Sequence, residues 1–125
     1  MDNLILVAGF GFRQRALLTS LGEVLDRLEA QFGAVDRLAV AHSMCSLVQQ
    51  LGHERGIEVL KVSDAVLPTI TTVTRSTHSL KARGTGSVAE AVALVAAGCG
   101  GQLLGSRLIS VDRMATAAVA RGVVA

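Results

Sequence analysis

Residues 3–8, NLILVA, are an apolar run that stops at Gly9. So short a continuous run, closed by glycine, reads as a strand buried on both faces, the kind found inside a parallel sheet under helices. The next segment changes period. Leu17, Leu18, Leu21, Val24, Leu25, Leu28 and Phe32 recur at three- and four-residue steps with charges between them, and Gly33 follows. That is an amphipathic helix with a glycine terminator. A strand followed at once by such a helix commits the chain to an α/β class.

The rest of the chain keeps the alternation. Residues 37–41 (RLAVA) read as a second strand, and Ser43 or Ser46 is placed to cap a helix with Leu47, Val48 and Leu51 inside, closing near Gly56. Residues 57–62 (IEVLKV) read as a third strand, and 63–67 (SDAVL) as one helical turn ended by Pro68. Residues 69–83 are rich in Thr and Ser and read as an irregular loop, with a helical turn near 78–82. Ser87 and Glu90 have the S-x-x-E spacing of a capping box, so a helix is expected over 87–97. Residues 102–109 (QLLGSRLI) and 115–120 (ATAAVA) read as strands joined by only 110–114, an antiparallel C-terminal hairpin. The expectation is a single domain over residues 1–125: a three-layer α/β/α fold whose sheet is mostly parallel but mixed, with about five strands.

Composition narrows the function. The apolar half of the chain is mainly Ala, Val and Leu, with three Phe and neither Trp nor Tyr, which suits close-packed layers of small side chains. A net charge of +2 without aromatic stacking platforms argues against nucleic acid. No apolar run approaches the roughly 18 residues needed to span a bilayer, so a soluble, cytoplasmic protein is expected. Cys45 and Cys99 stand alone and read as reduced, half-buried residues. Positive mean hydropathy leaves room for a homodimer face.

Among known chemistries, several are excluded by spacing. GFG at residues 9–11 is not a full dinucleotide fingerprint, because Gln14 stands where the last glycine belongs and His42, not an acid, follows the second strand. There is no P-loop, and His42, His53 and His78 lack metal-ligand spacing, so neither a metal nor a cofactor is expected. What remains is a crevice beyond the carboxyl ends of the strands. It would gather Gly9, Phe10, Gly11, Phe12, Arg13 and Arg15 from the first loop, His42 from the second, and Thr85, Gly86, Ser87 and Glu90 from the capped helix start. Arg107 lies in the next strand and Thr116 begins the last. Arginines, hydroxyls and helix-start N–H groups suit a ligand with several carboxylates. Glu90 is either the reciprocal half of the cap or, with His42, a catalytic candidate.

Three stretches carry a family resemblance: AGFGFR at residues 8–13, TGSVAEAVALVAAG at 85–98 and LLGSRLISVDRMATAAVA at 103–120. They resemble the cobalamin-biosynthesis family that groups the small CobE proteins with the C-terminal domain of CbiG. Phe12 replaces the cysteine of the CbiG-like first loop, and Arg107 replaces its usual lysine. A lysine and a glutamate usual after the second strand have no counterpart near residues 44–48. These departures favour the stand-alone CobE type. The resemblance implies an accessory or carrier protein for a corrinoid or precorrin intermediate of vitamin B12 synthesis, such as hydrogenobyrinic acid, in the oxygen-dependent route. The alternatives it leaves open are a hydrolase opening a precorrin lactone, as in CbiG relatives, and a structural partner of another enzyme of the pathway.

Overall fold

A computed structural model describes residues 4–70, 72, 74, 75, 80 and 87–123. Its elements are β1 (Leu4–Phe12), α1 (Leu18–Phe32), β2 (Arg37–Ala41), α2 (Cys45–Arg55), β3 (Glu58–Val62), α3 (Val88–Ala97), β4 (Gln102–Leu103), β5 (Leu108–Ile109) and β6 (Ala115–Val123). Short 3-10 segments cover His42–Met44 and Asp64–Thr69. The six strands form one mixed sheet in the order β3-β2-β1-β6-β4, with β5 also on β6. β1, β2 and β3 are parallel, whereas β6 runs antiparallel to β1 along the whole length from Leu4–Val123 to Phe12–Ala115.

Strand alternation sorts the core into two halves. Ala8, Phe10, Leu38, Val40, Ala115, Ala117 and Val119 face α1 and α2 with Leu21, Leu25, Leu28, Val48 and Leu51. Val7, Ala39, Ala41, Val62 and Ala120 face α3. The layers are therefore α/β/α, as the periodicity requires.

β1 does not stop at Gly9. It continues through Phe12, so the glycines are strand residues rather than a loop. Their purpose is proximity. A Cβ on Gly9 would lie 2.2 Å from the Ala89 carbonyl oxygen and 2.6 Å from the Ala93 nitrogen. At the other end of the same helix, a Cβ on Gly122 would lie 2.2 Å from the Ala97 carbonyl oxygen. Ala89, Ala93 and Ala97 recur every four residues, so α3 lays a small-residue stripe directly on the β1–β6 backbone. This contact also sets direction: Val88 lies over Gly11 and Ala97 over Gly122, so α3 starts at the end of the sheet where β1 finishes.

Four further expectations are revised. The span expected as one strand over 102–109 is two short ones: residues 104–107 oppose only 118 and 119 of β6, a bulge. Neither Ser43 nor Ser46 caps α2, which begins behind Met44; Ser43 turns instead to Asp64. The 3-10 segment runs past Pro68 to Thr69. Cys99 is exposed rather than half-buried, and Cys45 is partly buried; both are free thiols. The helical turn expected near 78–82 falls outside the described residues, apart from Leu80.

Candidate functional site

The first turn of α3 sits at the carboxyl end of the sheet, and Ser87 caps it: Ser87 Oγ accepts the Glu90 N–H at 3.3 Å. Glu90 is fully buried. Its carboxylate accepts the Thr74 N–H at 2.8 Å, the Thr74 hydroxyl at 2.6 Å and the Arg107 N–H at 2.9 Å. The bulge explains the last of these. Leu104 still donates its N–H to the Val119 carbonyl at 3.0 Å, but beyond it the chain leaves β6 and the Arg107 N–H turns to Glu90, so one buried carboxylate joins the segment at Thr74, the start of α3 and the bulge. Ser87 and Ala89 are buried too.

The remaining sequence candidates separate. Gly9 and Gly11 are buried under α3, and Phe10 is fully buried on the opposite face against α1 and α2, so none of the three has surface to offer. Phe12 packs against that same core, partly covered. Thr116 lies across from Gly11 and donates its hydroxyl to the Gly11 carbonyl at 3.2 Å. Arg107 precedes β5 in the bulge rather than sitting inside a strand, and is half-exposed. Arg13 and Arg15 are exposed just beyond β1, and His42 is exposed just beyond β2. Thr85 and Gly86 lie outside the described residues.

The carboxyl edge of the sheet has an uneven charge arrangement. Away from it, arginines are partnered: Arg27 with Glu23, Arg37 with Glu58, Arg55 with Asp26, and Arg121 with the Gln102 side chain. At this edge, Arg13, Arg15, Arg75, Arg107 and Arg113 have no carboxylate within ion-pairing distance among the described residues. Yet acids are present. Glu90 is taken up by Thr74 and Arg107 N–H, and Asp64 by Ser43 (N–H at 3.0 Å, hydroxyl at 2.5 Å). Asp112 is taken up by Ser20 at 2.5 Å, Ser110 at 2.6 Å and the Met114 N–H at 3.0 Å. These donors, Ser110 first, hold the Asp112 carboxyl below the ordinary carboxylate range. Among the described residues, each of these acids is engaged by hydroxyls and amides rather than by a guanidinium group.

Thr74, Arg75 and Arg113 did not emerge from the sequence. Thr74 acts through a partner sixteen residues away, and no local pattern announces such a contact. Among the described residues there is no cluster of His, Cys, Asp or Glu able to hold a metal, and no helix long and apolar enough to cross a membrane.

Similar folds support a specific relationship. One is CobE, described as a protein from the cobalamin (vitamin B12) biosynthetic pathway: it is 28% identical, with a TM-score of 0.84 over 94% of this chain and 90% of that one. The cobalamin biosynthesis protein chiG from Agrobacterium tumefaciens str. C58 is 29% identical, with a TM-score of 0.72 over 93% of this chain and 97% of that one. A cobalamin biosynthesis protein G homolog from Sulfolobus solfataricus shares the fold at 16% identity and a TM-score of 0.74, over 94% of this chain and 37% of that one. No curated protein matches the chain. The family described as Cobalamin synthesis G C-terminus matches residues 6–120, nearly the full length, and the chain belongs to that cobalamin-biosynthesis family.

Proposed function

We propose that the protein binds a corrinoid intermediate of vitamin B12 synthesis, as a carrier or accessory protein in the oxygen-dependent route. The observation that carries this reading is the set of arginines at the carboxyl edge of the sheet without carboxylate partners among the described residues, Arg13, Arg15 and Arg107 foremost. A corrinoid acid is a flat macrocycle fringed with acetate and propionate groups, and spaced guanidinium groups suit several carboxylates at once. Kinship with CobE and chiG, both proteins of cobalamin biosynthesis, supports a ligand drawn from that pathway.

Glu90 has the part of a positioning residue here. Fully buried and accepting three hydrogen bonds from described residues alone, it holds the helix start and the Arg107 bulge in register. That occupation speaks against the lactone-opening alternative with Glu90 as the proton carrier. Titration with hydrogenobyrinic acid tests the reading directly. A saturable shift of the corrin visible spectrum is expected, and no shift with hydrogenobyrinic acid or the neighbouring pathway intermediates would end it.

A further inference from the structure

Arg113 is the one residue other than glycine whose φ is positive among the described residues, at 62°. The left-handed region favours Gly, Asn or Asp, and a bulky L residue stays there only where its surroundings enforce it. They do so here. The Arg113 N–H donates to the Ser110 carbonyl at 2.8 Å, and Ser110 Oγ accepts the Ala115 N–H at 3.0 Å. Asp112 accepts from Ser110, from the Met114 N–H and from Ser20 of α1. Two more bonds fasten the same turn to α1: Glu23 accepts the Val111 N–H at 2.7 Å, and Arg27 donates to the Ile109 carbonyl at 2.8 Å.

The turn also reaches the edge that carries the arginines. The Met114 carbonyl, next in the chain, accepts the Arg13 N–H at 2.8 Å, so Arg113 and Arg13 stand on adjoining backbone. Both side chains are exposed, and neither has a carboxylate partner among the described residues. Glycine would suit the backbone better, and no described residue bonds the Arg113 guanidinium.

We infer that Arg113 is a ligand-contacting residue, paired with Arg13 to take one peripheral carboxylate group of the macrocycle, and that the turn around Asp112 is built to hold it there. This rests on the corrinoid-binding reading. The test replaces Arg113 by residues that the left-handed backbone accepts. Arg113→Gly and Arg113→Asn should keep or raise the melting temperature, yet weaken hydrogenobyrinic acid binding about fivefold to tenfold in a spectral titration, while Arg113→Lys recovers part of the loss. Arg13→Ala runs beside them. If Arg13→Ala weakens binding and both Arg113→Gly and Arg113→Asn bind as the native chain does, Arg113 is not in the site and the inference falls alone. If the native chain gives no spectral shift, the corrinoid-binding reading falls and takes this inference with it.

Discussion

Glu90 shows how much one side chain can arrange. A buried carboxylate is costly unless its lone pairs are satisfied, and this one is answered by a hydroxyl and two backbone N–H groups from separate segments. Replacing it with Gln keeps the shape but turns one acceptor into a donor that faces donors. Glu90→Gln should therefore lower stability by about 2 kcal/mol, the cost of leaving buried amide groups without acceptors. Urea unfolding measures this, and an unshifted midpoint would show that the carboxylate carries no such load. Gly9 is constrained by sterics alone. Gly9→Ala sets a methyl group inside the Ala89–Ala93 backbone, where nothing flexible can move aside, and should cost about 3 kcal/mol or more. Gly100→Ala makes a useful contrast: there is open space around it, and its φ of 82° alone should cost about 1 kcal/mol.

At the scale of elements, the turn over residues 110–114 behaves as a clasp between the C-terminal hairpin and α1. The charged and titratable groups around Asp112 are Arg113 on its own turn, Glu23 and Arg27 on α1, and Arg13 across Met114. Because the folded Asp112 carboxyl sits below its ordinary value of 3.8, its contribution is present above that value and is lost as pH falls through the lower, folded one. Asp112→Asn should thus be less stable than the native chain near neutral pH, and the difference should shrink towards zero in strong acid. A pH series of unfolding midpoints reads it out, and a constant difference would contradict the assignment. Elements were legible in the sequence where one periodicity governed them, as in α1, β2, β3 and the Ser87 cap. They were misread where glycine serves packing. GFG looks like a loop because glycine usually breaks a strand, yet Ala89, Ala93 and Ala97 at four-residue steps are the matching signal of a helix lying close on glycine. The site was less legible than the fold. Arg13, Arg15 and Arg107 stand out by composition, whereas Thr74 and the bulge are defined by long-range hydrogen bonds that no local pattern encodes.

For the whole molecule, what matters is where the positive charge is free, not how much there is. A net charge of +2 exerts little attraction on its own, and both Arg13 and Arg37 contribute equally to it. They differ in place and in partner. Arg37 enters β2 opposite Val7, towards the end of the sheet where β6 finishes, and is paired with Glu58 at 3.1 Å. Arg13 stands beyond the other end, exposed and without a carboxylate partner among the described residues. If the edge arginines recognise a polycarboxylate, Arg13→Ala should weaken hydrogenobyrinic acid binding about tenfold, whereas Arg37→Ala, with the same loss of charge, should change it less than about twofold. Raising the salt from about 0.05 M to 0.5 M should weaken the native protein and Arg37→Ala alike, and Arg13→Ala less, because screening acts on the contact already removed. Equal losses in the two variants would mean that the protein attracts its ligand by overall charge, and that the open arginines at the carboxyl edge select nothing.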